Sequence, residues 1–457
     1  HLENYRTLVN KQKDFFRTEQ TKDINFRIDS LQQLRDAIKM NEKELMGALR
    51  EDLNKSDFEA YSTEIGFVLA EMRFTISNLR SWVKPKKVKT PMTHLGSTSY
   101  IYSEPYGTAL IIAPWNYPVQ LAIGPLIGAI AAGNCAVIKP SELTPKTSEM
   151  LAKIINDLFP EKYISVVQGG VDTSQALLNE KFDYIFFTGS VPVGRIIMEA
   201  AAKNLTPVTL ELGGKSPCIV HNDAKIKLAA KRIAWGKFTN AGQTCIAPDY
   251  LYLHRSIKDR FLEQFKKAIE ELYGKQPLDN PNFTRIVNKS HFDRLCSYMK
   301  NGEIFLGGKT KLDKLTIEPT VLTDISWDDP IMNDEIFGPI LPVLEYEYLS
   351  EVMEEIQLQP KPLSFYVFSE SKSIQHKILN NVSFGGGCVN DTVYHVASPH
   401  LPFGGVGNSG IGAYHGKSSF DTFSHKKSVL KQTTRFDIPF RYPNIKNGLE
   451  IIKKILK

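Results

Sequence analysis

The sequence lacks the cysteine pattern of a zinc site or of a disulfide framework. Its 457 residues contain only five cysteines, which are scattered, odd in number and never spaced as a CxxC pair. This pattern is typical of reduced thiols in a reducing compartment. We therefore expect a cytoplasmic protein, with neither disulfides nor a bound metal ion.

Long apolar runs are missing as well. The most apolar stretch, residues 121–132, contains two glycines and a proline and is shorter than the ~20 residues that a helix needs to cross a bilayer. We expect it to form a buried helix. Residues 1–4 show neither a basic nor an apolar signal region, so no secretory signal peptide is expected.

The charge balance excludes a further class of function. The 56 basic and 50 acidic residues leave a formal net charge of +6, and no basic cluster with interleaved aromatic residues is present. We therefore expect no nucleic-acid partner. The composition, 42% apolar and 23% charged, is that of an ordinary globular protein, and 457 residues predict two or three domains.

Strand-like and helix-like segments alternate over most of the chain. Residues 5–81 show helical periodicity, and from residue 107 to 207 short apolar runs alternate with amphipathic segments. This order is typical of an α/β fold with a doubly wound parallel sheet, which binds dinucleotides at the carboxyl ends of its strands. The alternation returns after residue 213, so we expect a second such sheet.

One cysteine has a context unlike that of a packing residue. Cys245 lies in a run of small and polar residues (238–248) between an amphipathic segment and the strand-like residues 250–253. A structural cysteine normally has apolar neighbours, whereas a reactive one needs room for a substrate and surroundings that favour the thiolate. We interpret Cys245 as a candidate nucleophile at a cleft; an ordinary turn is the alternative.

Several motifs give the chain a family resemblance. Asn-Ala-Gly-Gln-Thr-Cys ending at Cys245, Leu-Glu-Leu-Gly-Gly-Lys around Glu211 and Glu-Ile-Phe-Gly-Pro from Glu335 resemble the aldehyde dehydrogenase superfamily, between about residues 100 and 429. Two segments resemble its class 3 branch, which includes fatty and aromatic aldehyde dehydrogenases: Ala-Pro-Trp-Asn-Tyr-Pro around Asn116, and residues 401–410.

The resemblance implies NAD(P)-dependent oxidation of an aldehyde to a carboxylic acid. Cys245 would form a thiohemiacetal, from which hydride leaves to the nicotinamide and a thioester remains. Asn116 and the Cys245 backbone N–H would stabilise the oxyanion, and Glu211 would activate the hydrolytic water. From the residues alone, Asn116 reads as a turn residue and Glu211 as a solvated carboxylate at a strand end.

The same resemblance assigns the cofactor residues. Lys139 and Glu142 would bind the adenosine ribose, where a carboxylate favours NAD over NADP, although class 3 relatives often accept both. Glu335 would hold the nicotinamide ribose, with Phe337 beside it. The turn that follows the strand at 184–187 opens a helix whose free N–H groups suit a pyrophosphate; its matching residues are Gly189, Ser190 and Gly194. A capping pair at 139 and 142 and a plain turn are the alternatives.

Individual residues bear on the substrate and on the alternative functions. Tyr117, Thr244, Tyr414 and His415 match pocket residues of class 3 relatives, which accept medium- or long-chain aliphatic and aromatic aldehydes. A CoA-acylating dehydrogenase usually lacks a carboxylate at the position of Glu211. A cysteine hydrolase would need an activating histidine, and none of the ten histidines lies in such a motif. A non-catalytic protein on this fold would have lost parts of the motif set.

The resemblance also divides the chain into units. We expect an N-terminal helical part of the cofactor domain (1–81), an oligomerisation hairpin (82–106), a dinucleotide-binding domain (107–212), a catalytic domain (213–429), and an oligomerisation strand with a helical tail (430–457). Class 3 relatives pair through the β-like segments that correspond to residues 97–103 and 433–442. We therefore expect a homodimer.

The tail carries one apolar stripe at helical spacing. Ile445, Leu449, Ile452 and Leu456 share that stripe, with lysines elsewhere around the helix. This pattern predicts a docked amphipathic helix. A cover over the substrate funnel, as in relatives that process fatty aldehydes, and a weak contact with an acidic membrane surface are the alternatives.

Overall fold

The computed structural model describes residues 5–457, so residues 1–4, which were considered for a signal peptide, lie outside the described part. Its strands are β1 (Lys86–Val88), β2 (Ser97–Pro105), β3 (Thr108–Ile112), β4 (Cys135–Lys139), β5 (Ile164–Val166), β6 (Tyr184–Thr188), β7 (Val208–Glu211), β8 (Pro217–Val220), β9 (Tyr250–His254), β10 (Glu303–Leu306), β11 (Thr310–Lys311), β12 (Thr316–Ile317), β13 (Thr320–Thr323), β14 (Ile340–Tyr346), β15 (Ser364–Phe368), β16 (Gly386–Val389), β17 (Gly410–Ile411) and β18 (Ser424–Gln432).

Helices connect most of these strands. They are α1 (Tyr5–Arg17), α2 (Ile24–Met40), α3 (Glu42–Leu53), α4 (Asp57–Ala60), α5 (Gly66–Trp82), α6 (Gln120–Ala132), α7 (Pro145–Leu158), α8 (Val171–Leu178), α9 (Val191–Ala202), α10 (Ile226–Phe238), α11 (Lys258–Tyr273), α12 (Lys289–Tyr298), α13 (Leu349–Leu358), α14 (Lys372–Asn381), α15 (Lys417–Thr422) and α16 (Gly448–Ile455). No helix among residues 5–457 combines the length and the apolar character that a membrane span requires.

The first sheet has the strand order β17-β7-β6-β3-β4-β5, and its strands are parallel except for β17. Alternate residues of β3 face opposite layers: Ala109 and Ile111 join one buried cluster, and Leu110 and Ile112 join another. Strands covered on both faces read as continuous apolar runs, which explains their sequence pattern. The predicted doubly wound α/β sheet is confirmed, and every residue of α6 is buried, as expected for residues 121–132.

The second sheet has the order β10-β13-β14-β9-β8-β15-β16 and is parallel apart from β10. Here too the residues of one strand alternate between two clusters, since Phe365 and Val367 face one layer while Tyr366 and Phe368 face the other. The chain then returns to the first unit: β17 pairs with β7, and Phe420 and Phe423 enter the first cluster.

A small antiparallel sheet, β1-β2-β18, corrects one expectation about the chain's C-terminal part. The strand that pairs with β2 is Ser424–Gln432, and residues 433–442 form turns and a short 3-10 helix (Pro439–Arg441). The prediction of a strand at 433–442 is therefore wrong. The lysine-rich sequence of β18 carries little apolar alternation, because its pairing with β2 rather than burial specifies it.

The C-terminal tail forms a helix, α16, none of whose residues is buried. Leu449 and Leu456 remain 66% and 72% exposed. The helix that the sequence predicts is present, but its predicted docking is not observed within a single chain.

Candidate active site

Two cavities meet at a short list of residues between the two sheets. One has a volume of about 940 Å³ and the other about 950 Å³. Asn116, Thr188 and Cys245 line both of them. Because Asn116 follows β3 and Thr188 ends β6, the junction lies at the carboxyl ends of the first sheet, where open α/β sheets bind their ligands.

Cys245 lies in a loop that follows α10 rather than at the end of that helix. A 3-10 turn (Thr239–Gly242) comes between them, and in it Asn240 and Ala241 adopt left-handed φ angles of 55° and 53°. Gly242 has a φ of 73° and packs against a loop that comes later in the same chain. A Cβ atom at this position would fall 2.2 Å from the Gly338 carbonyl oxygen. The loop that carries the thiol is therefore fixed against the loop that carries Glu335 and Phe337.

Asn116 points its side-chain amide at the thiol. Its Nδ2 lies 3.9 Å from Cys245 Sγ, and the Asn116 residue is 2% exposed. An amide donor beside a nucleophile, with the nucleophile's own backbone N–H, is the arrangement that stabilises an oxyanion. The resemblance-based pairing of Asn116 with Cys245 is thus present in space, although 129 residues separate them in sequence.

The surroundings of Cys245 favour the neutral thiol. Burial raises the pKa of Cys245, and the carboxyl groups of Glu335 and Glu211 raise it further, whereas the hydrogen bond from Asn116 opposes them. The thiolate is the reactive form. Attack therefore requires that the thiol lose its proton as substrate and cofactor assemble around it.

Glu211 ends β7 and lines the first cavity. Both of its carboxyl oxygens are buried and have no hydrogen-bond partner among the described residues. Burial raises the pKa of Glu211 well above its ordinary value. A carboxyl group that faces a cavity and has no partner among the described residues is free to bind a water molecule or a ligand.

Glu335 lies in the second cavity with Phe337. Its Oε2 accepts a 2.5 Å hydrogen bond from the Gly214 N–H, and burial raises the pKa of Glu335 to about 8. Phe337 makes an edge contact with Trp115, with ring centroids 5.4 Å apart. Both residues therefore line the cavity that Asn116 and Cys245 also line.

Lys139 and Glu142 also line the second cavity. Lys139 Nζ donates to Glu142 Oε2 (3.1 Å) and to the carbonyls of Pro140 and Gly169 (both 2.7 Å). The lysine and the glutamate thus form a pair in space, and Glu142 keeps 42% of its side chain exposed to the cavity.

The start of helix α9 also lines the second cavity. Gly189 and Ser190 line the cavity, whereas Gly194 does not. A Cβ atom on Gly194 would lie 2.6 Å from the Leu212 side chain, so this glycine lets α9 approach β7 instead of facing a ligand. The first turn of the helix offers N–H groups without intrahelical partners, and the buried Thr188 Oγ1 has no partner among residues 5–457. These unpaired donors fit a dinucleotide.

The first cavity contains three of the four predicted pocket residues. Tyr117 and Thr244 share a 2.7 Å hydrogen bond between their hydroxyls, and Tyr414 joins them on the wall. His415 does not line the cavity. It stacks behind Tyr414 at 3.9 Å between ring centroids, and its Nδ1 lies 3.0 Å from Glu71 Oε2. His415 follows Tyr414 directly in the sequence, but its backbone takes a φ of 77° and its side chain points away from the cavity.

Most of the remaining wall is apolar. Aromatic and aliphatic side chains contributed by both sheets' helices and loops line it, among them Phe67, Leu121, Trp235, Leu272, Val396 and Phe403. A largely apolar cavity with a few polar groups at one place is typical of a small-molecule site.

Sequence reasoning missed residues in the N-terminal helical part. Lys55 and Glu64 form a fully buried ion pair beside the Asn116 segment. A helical segment rich in charges gives no signal that separates such a pair from solvent-exposed ones, so only the fold could identify it.

Comparisons with known proteins agree with this geometry. A sequence model described as the aldehyde dehydrogenase family matches residues 2–429. The 4,4'-diaponeurosporen-aldehyde dehydrogenase of Staphylococcus aureus is 50% identical, with 97% of each chain covered. The dimeric NADP-preferring aldehyde dehydrogenase of Mus musculus is 42% identical over 95% of this chain and 96% of its own. The substrate-bound structure of Staphylococcus aureus AldH superposes with a TM-score of 0.97 at 49% identity, covering 99% of both chains.

Proposed function

Since the chain belongs to the aldehyde dehydrogenase family and is an NAD(P)-dependent oxidoreductase, we propose that it oxidises medium- or long-chain aliphatic or aromatic aldehydes to carboxylic acids through a thioester on Cys245. The observation that carries this proposal is the junction of two cavities at Cys245 and Asn116. One cavity is apolar and contains Glu211, and the other contains Glu335 and the helix start of α9.

The second cavity has the residues to hold a dinucleotide. The first turn of α9 with Gly189 and Ser190 would bind the pyrophosphate, Lys139 and Glu142 one ribose, and Glu335 the other. When bound, the dinucleotide supplies the acceptor for the hydride that leaves the thiohemiacetal carbon. We propose that NAD is preferred and that NADP is also accepted, because the Glu142 carboxylate opposes a 2′-phosphate while a relative is named NADP-preferring.

The residues of the junction divide the chemistry between them. The Cys245 sulfur attacks the carbonyl carbon and its proton passes to water, while Asn116 Nδ2 and the Cys245 N–H stabilise the oxyanion. Loss of hydride from that carbon leaves a thioester. Glu211 then takes a proton from water, the resulting hydroxide attacks the thioester carbon, and the carboxylic acid and the Cys245 thiol are released. The presence of Glu211 favours hydrolysis over transfer to CoA.

The first cavity supports an apolar substrate. Its volume of about 940 Å³ and its aromatic lining suit a long hydrocarbon chain better than a small polar aldehyde. A 50% identical relative is named for 4,4'-diaponeurosporen-aldehyde. A panel from propanal to hexadecanal, run with NAD and with NADP, measures this preference directly.

We also propose that the units defined above keep their roles, with residues 107–212 binding the dinucleotide and residues 213–429 carrying the nucleophile. A homodimer is supported by a relative named as dimeric and by edge strands β16 and β18, each of which pairs with only one neighbour among the described residues.

The five free, scattered cysteines support a cytoplasmic location. A weak contact of the α16 tail with acidic membranes belongs to the same proposal.

The test of the mechanism is replacement of the thiol. Cys245→Ala removes the nucleophile, so aldehyde-dependent NADH formation should fall to background while NAD still binds, because the cofactor contacts remain. Cys296→Ala, at a cysteine outside both cavities, is the matched control and should keep its activity. Substantial turnover by Cys245→Ala would remove this residue from the mechanism.

A further inference from the structure

The N-terminal helical part contributes a buried ion pair to the back of the active site. Lys55 Nζ lies 2.7 Å from Glu64 Oε2, and both side chains are 0% exposed. Two charges removed from water lose their hydration, and an apolar pair of similar size is often at least as stabilising. Stability alone therefore gives no reason for this pair, and what it contacts is more informative.

Among residues 5–457, every further hydrogen bond of the two side chains goes to one segment, residues 116–120, and Glu59 is a further charge close to the pair. Lys55 Nζ donates to the Asn116 carbonyl oxygen at 3.1 Å and lies 4.3 Å from the centre of the Tyr117 ring. Glu64 Oε1 accepts hydrogen bonds from the N–H groups of Val119 (2.9 Å) and Gln120 (3.2 Å), at the start of α6. The pair thus fixes the backbone on both sides of the Asn116 and Tyr117 side chains.

The loop of the nucleophile reaches the same atom from the opposite side. Asn240 Nδ2 donates to the Asn116 carbonyl oxygen at 3.0 Å and to the Gln243 carbonyl oxygen at 3.0 Å. One oxygen atom therefore accepts a donor from the helical part and a donor from the Cys245 loop. Because both donors hold the Asn116 carbonyl oxygen, a shift of this oxygen would move the Asn116 side-chain amide relative to the Cys245 thiol.

We propose that Lys55 and Glu64 are positioning residues for oxyanion stabilisation, acting through the backbone of Asn116. This inference rests on the proposed role of Asn116. Donors stabilise an oxyanion only when they lie at hydrogen-bond distance from the place where charge develops, and a misplacement of about 1 Å can reduce a rate about 100-fold. The pair limits such movement because it holds the segment at three backbone atoms.

The experiment measures the first turnover of NADH by stopped flow, with hexanal and NAD. The Lys55→Met/Glu64→Gln variant removes both charges but keeps an acceptor for the Val119 and Gln120 N–H groups. We expect its first-turnover rate to fall between about 10-fold and 100-fold, with NAD affinity unchanged. Adding Asn116→Ala should lower the rate little further than Asn116→Ala alone, because residues that act through one group are not additive.

A matched control separates positioning from general destabilisation. Arg27 is another buried cation bonded to backbone carbonyls, and it contacts the opposite end of α6 through the Ala131 oxygen at 3.0 Å. Arg27→Met should lower Tm but keep the wild-type first-turnover rate. An equal slowing in this control would overturn the inference. If the double variant does not fold, Glu64→Asp, which keeps both charges but shortens the acceptor of the Val119 and Gln120 N–H groups, provides the test, with a smaller slowing and the same lack of additivity.

The outcomes separate this inference from the proposed function. A wild-type first-turnover rate in the folded double variant, with Asn116→Ala slow, would overturn the positioning role alone. A loss that is fully additive with Asn116→Ala would do the same. A wild-type rate in Asn116→Ala itself would overturn the proposed role of Asn116, and this inference with it.

Discussion

Glu211 combines a buried carboxyl group with a pKa that burial raises well above its ordinary value. A general base acts only when it is deprotonated. Because a raised pKa moves deprotonation to higher pH, thioester hydrolysis should increase with pH across a range above that in which an exposed glutamate titrates. The measurement is kcat against pH for a substrate whose turnover is limited by hydrolysis. Glu211→Gln should lose this acid limb together with hydrolysis; an acid limb in the ordinary glutamate range would assign the base to another group.

The sequence context predicted the location of some site residues but not of others. Cys245, Glu211 and Asn116 lie in motifs whose spacing is local, and the fold brings all three to the wall of the first cavity. Lys55 and Glu64 lie in a charge-rich helical segment, and only tertiary packing makes them partners of Asn116. Gly194 and His415 were placed at the ligand by the resemblance, but they face Leu212 and Glu71. A motif specifies that a residue is needed and does not specify which way it faces.

Strands and helices with a strong apolar pattern were predicted correctly from the sequence, whereas the strand at the edge of the small sheet was not. The fully buried strands β3, β4 and β6 and the buried helix α6 follow from continuous apolar runs. The strand β18 carries four lysine or histidine side chains in nine residues and is specified by its pairing with β2. Residues 433–442 contain aromatic and β-branched residues but also Pro439, and they form no strand.

The α16 tail gives a prediction at the scale of an element. Leu449 and Leu456 of its apolar stripe are exposed in the single chain, Ile445 and Ile452 are half-buried, and residues 444–457 line neither cavity. Exposed apolar side chains of this kind are candidates for contact with a partner chain, a membrane or a long substrate. Deleting residues 444–457 should raise KM for hexadecanal more than KM for propanal, because only the long chain would extend past the cavity mouth.

The same deletion distinguishes the alternatives for the tail. Equal changes in KM for both aldehydes would limit the tail to packing. Co-sedimentation of the full chain with vesicles that contain anionic lipids, lost on deletion, would favour the membrane contact. A matched control with Lys453→Gln and Lys454→Gln keeps the apolar stripe and should weaken only an electrostatic attachment.

At the scale of the whole molecule, the first prediction concerns assembly. β16 and β18 are edge strands that pair with one neighbour each among the described residues, and we expect a second copy to pair with such an edge. Light scattering should therefore give about twice the chain mass of 51.5 kDa, independent of concentration in the micromolar range. A mass of one chain or of four chains would contradict the dimer.

The architecture of the molecule follows from the order of its elements. Parallel strands with helices on both faces put the loops after β3, β4, β6 and β7 at one edge of the first sheet. The unit built on the second sheet contributes the Cys245 thiol on the loop after α10 and the Glu335 carboxylate on the loop before β14. Sequence periodicity predicts each sheet, but the way the two sheets meet depends on long-range packing, such as the contact of Gly242 with Gly338.

The central claim is that Cys245 carries the acyl group and that Glu211 releases it. The most direct measurement is intact-protein and peptide mass spectrometry of Glu211→Gln after mixing with hexanal and NAD. The account predicts one hexanoyl group per chain, located on Cys245, with about one equivalent of NADH formed and no further turnover, because the water is no longer activated. An unmodified Cys245 alongside continued formation of NADH and hexanoic acid would contradict it.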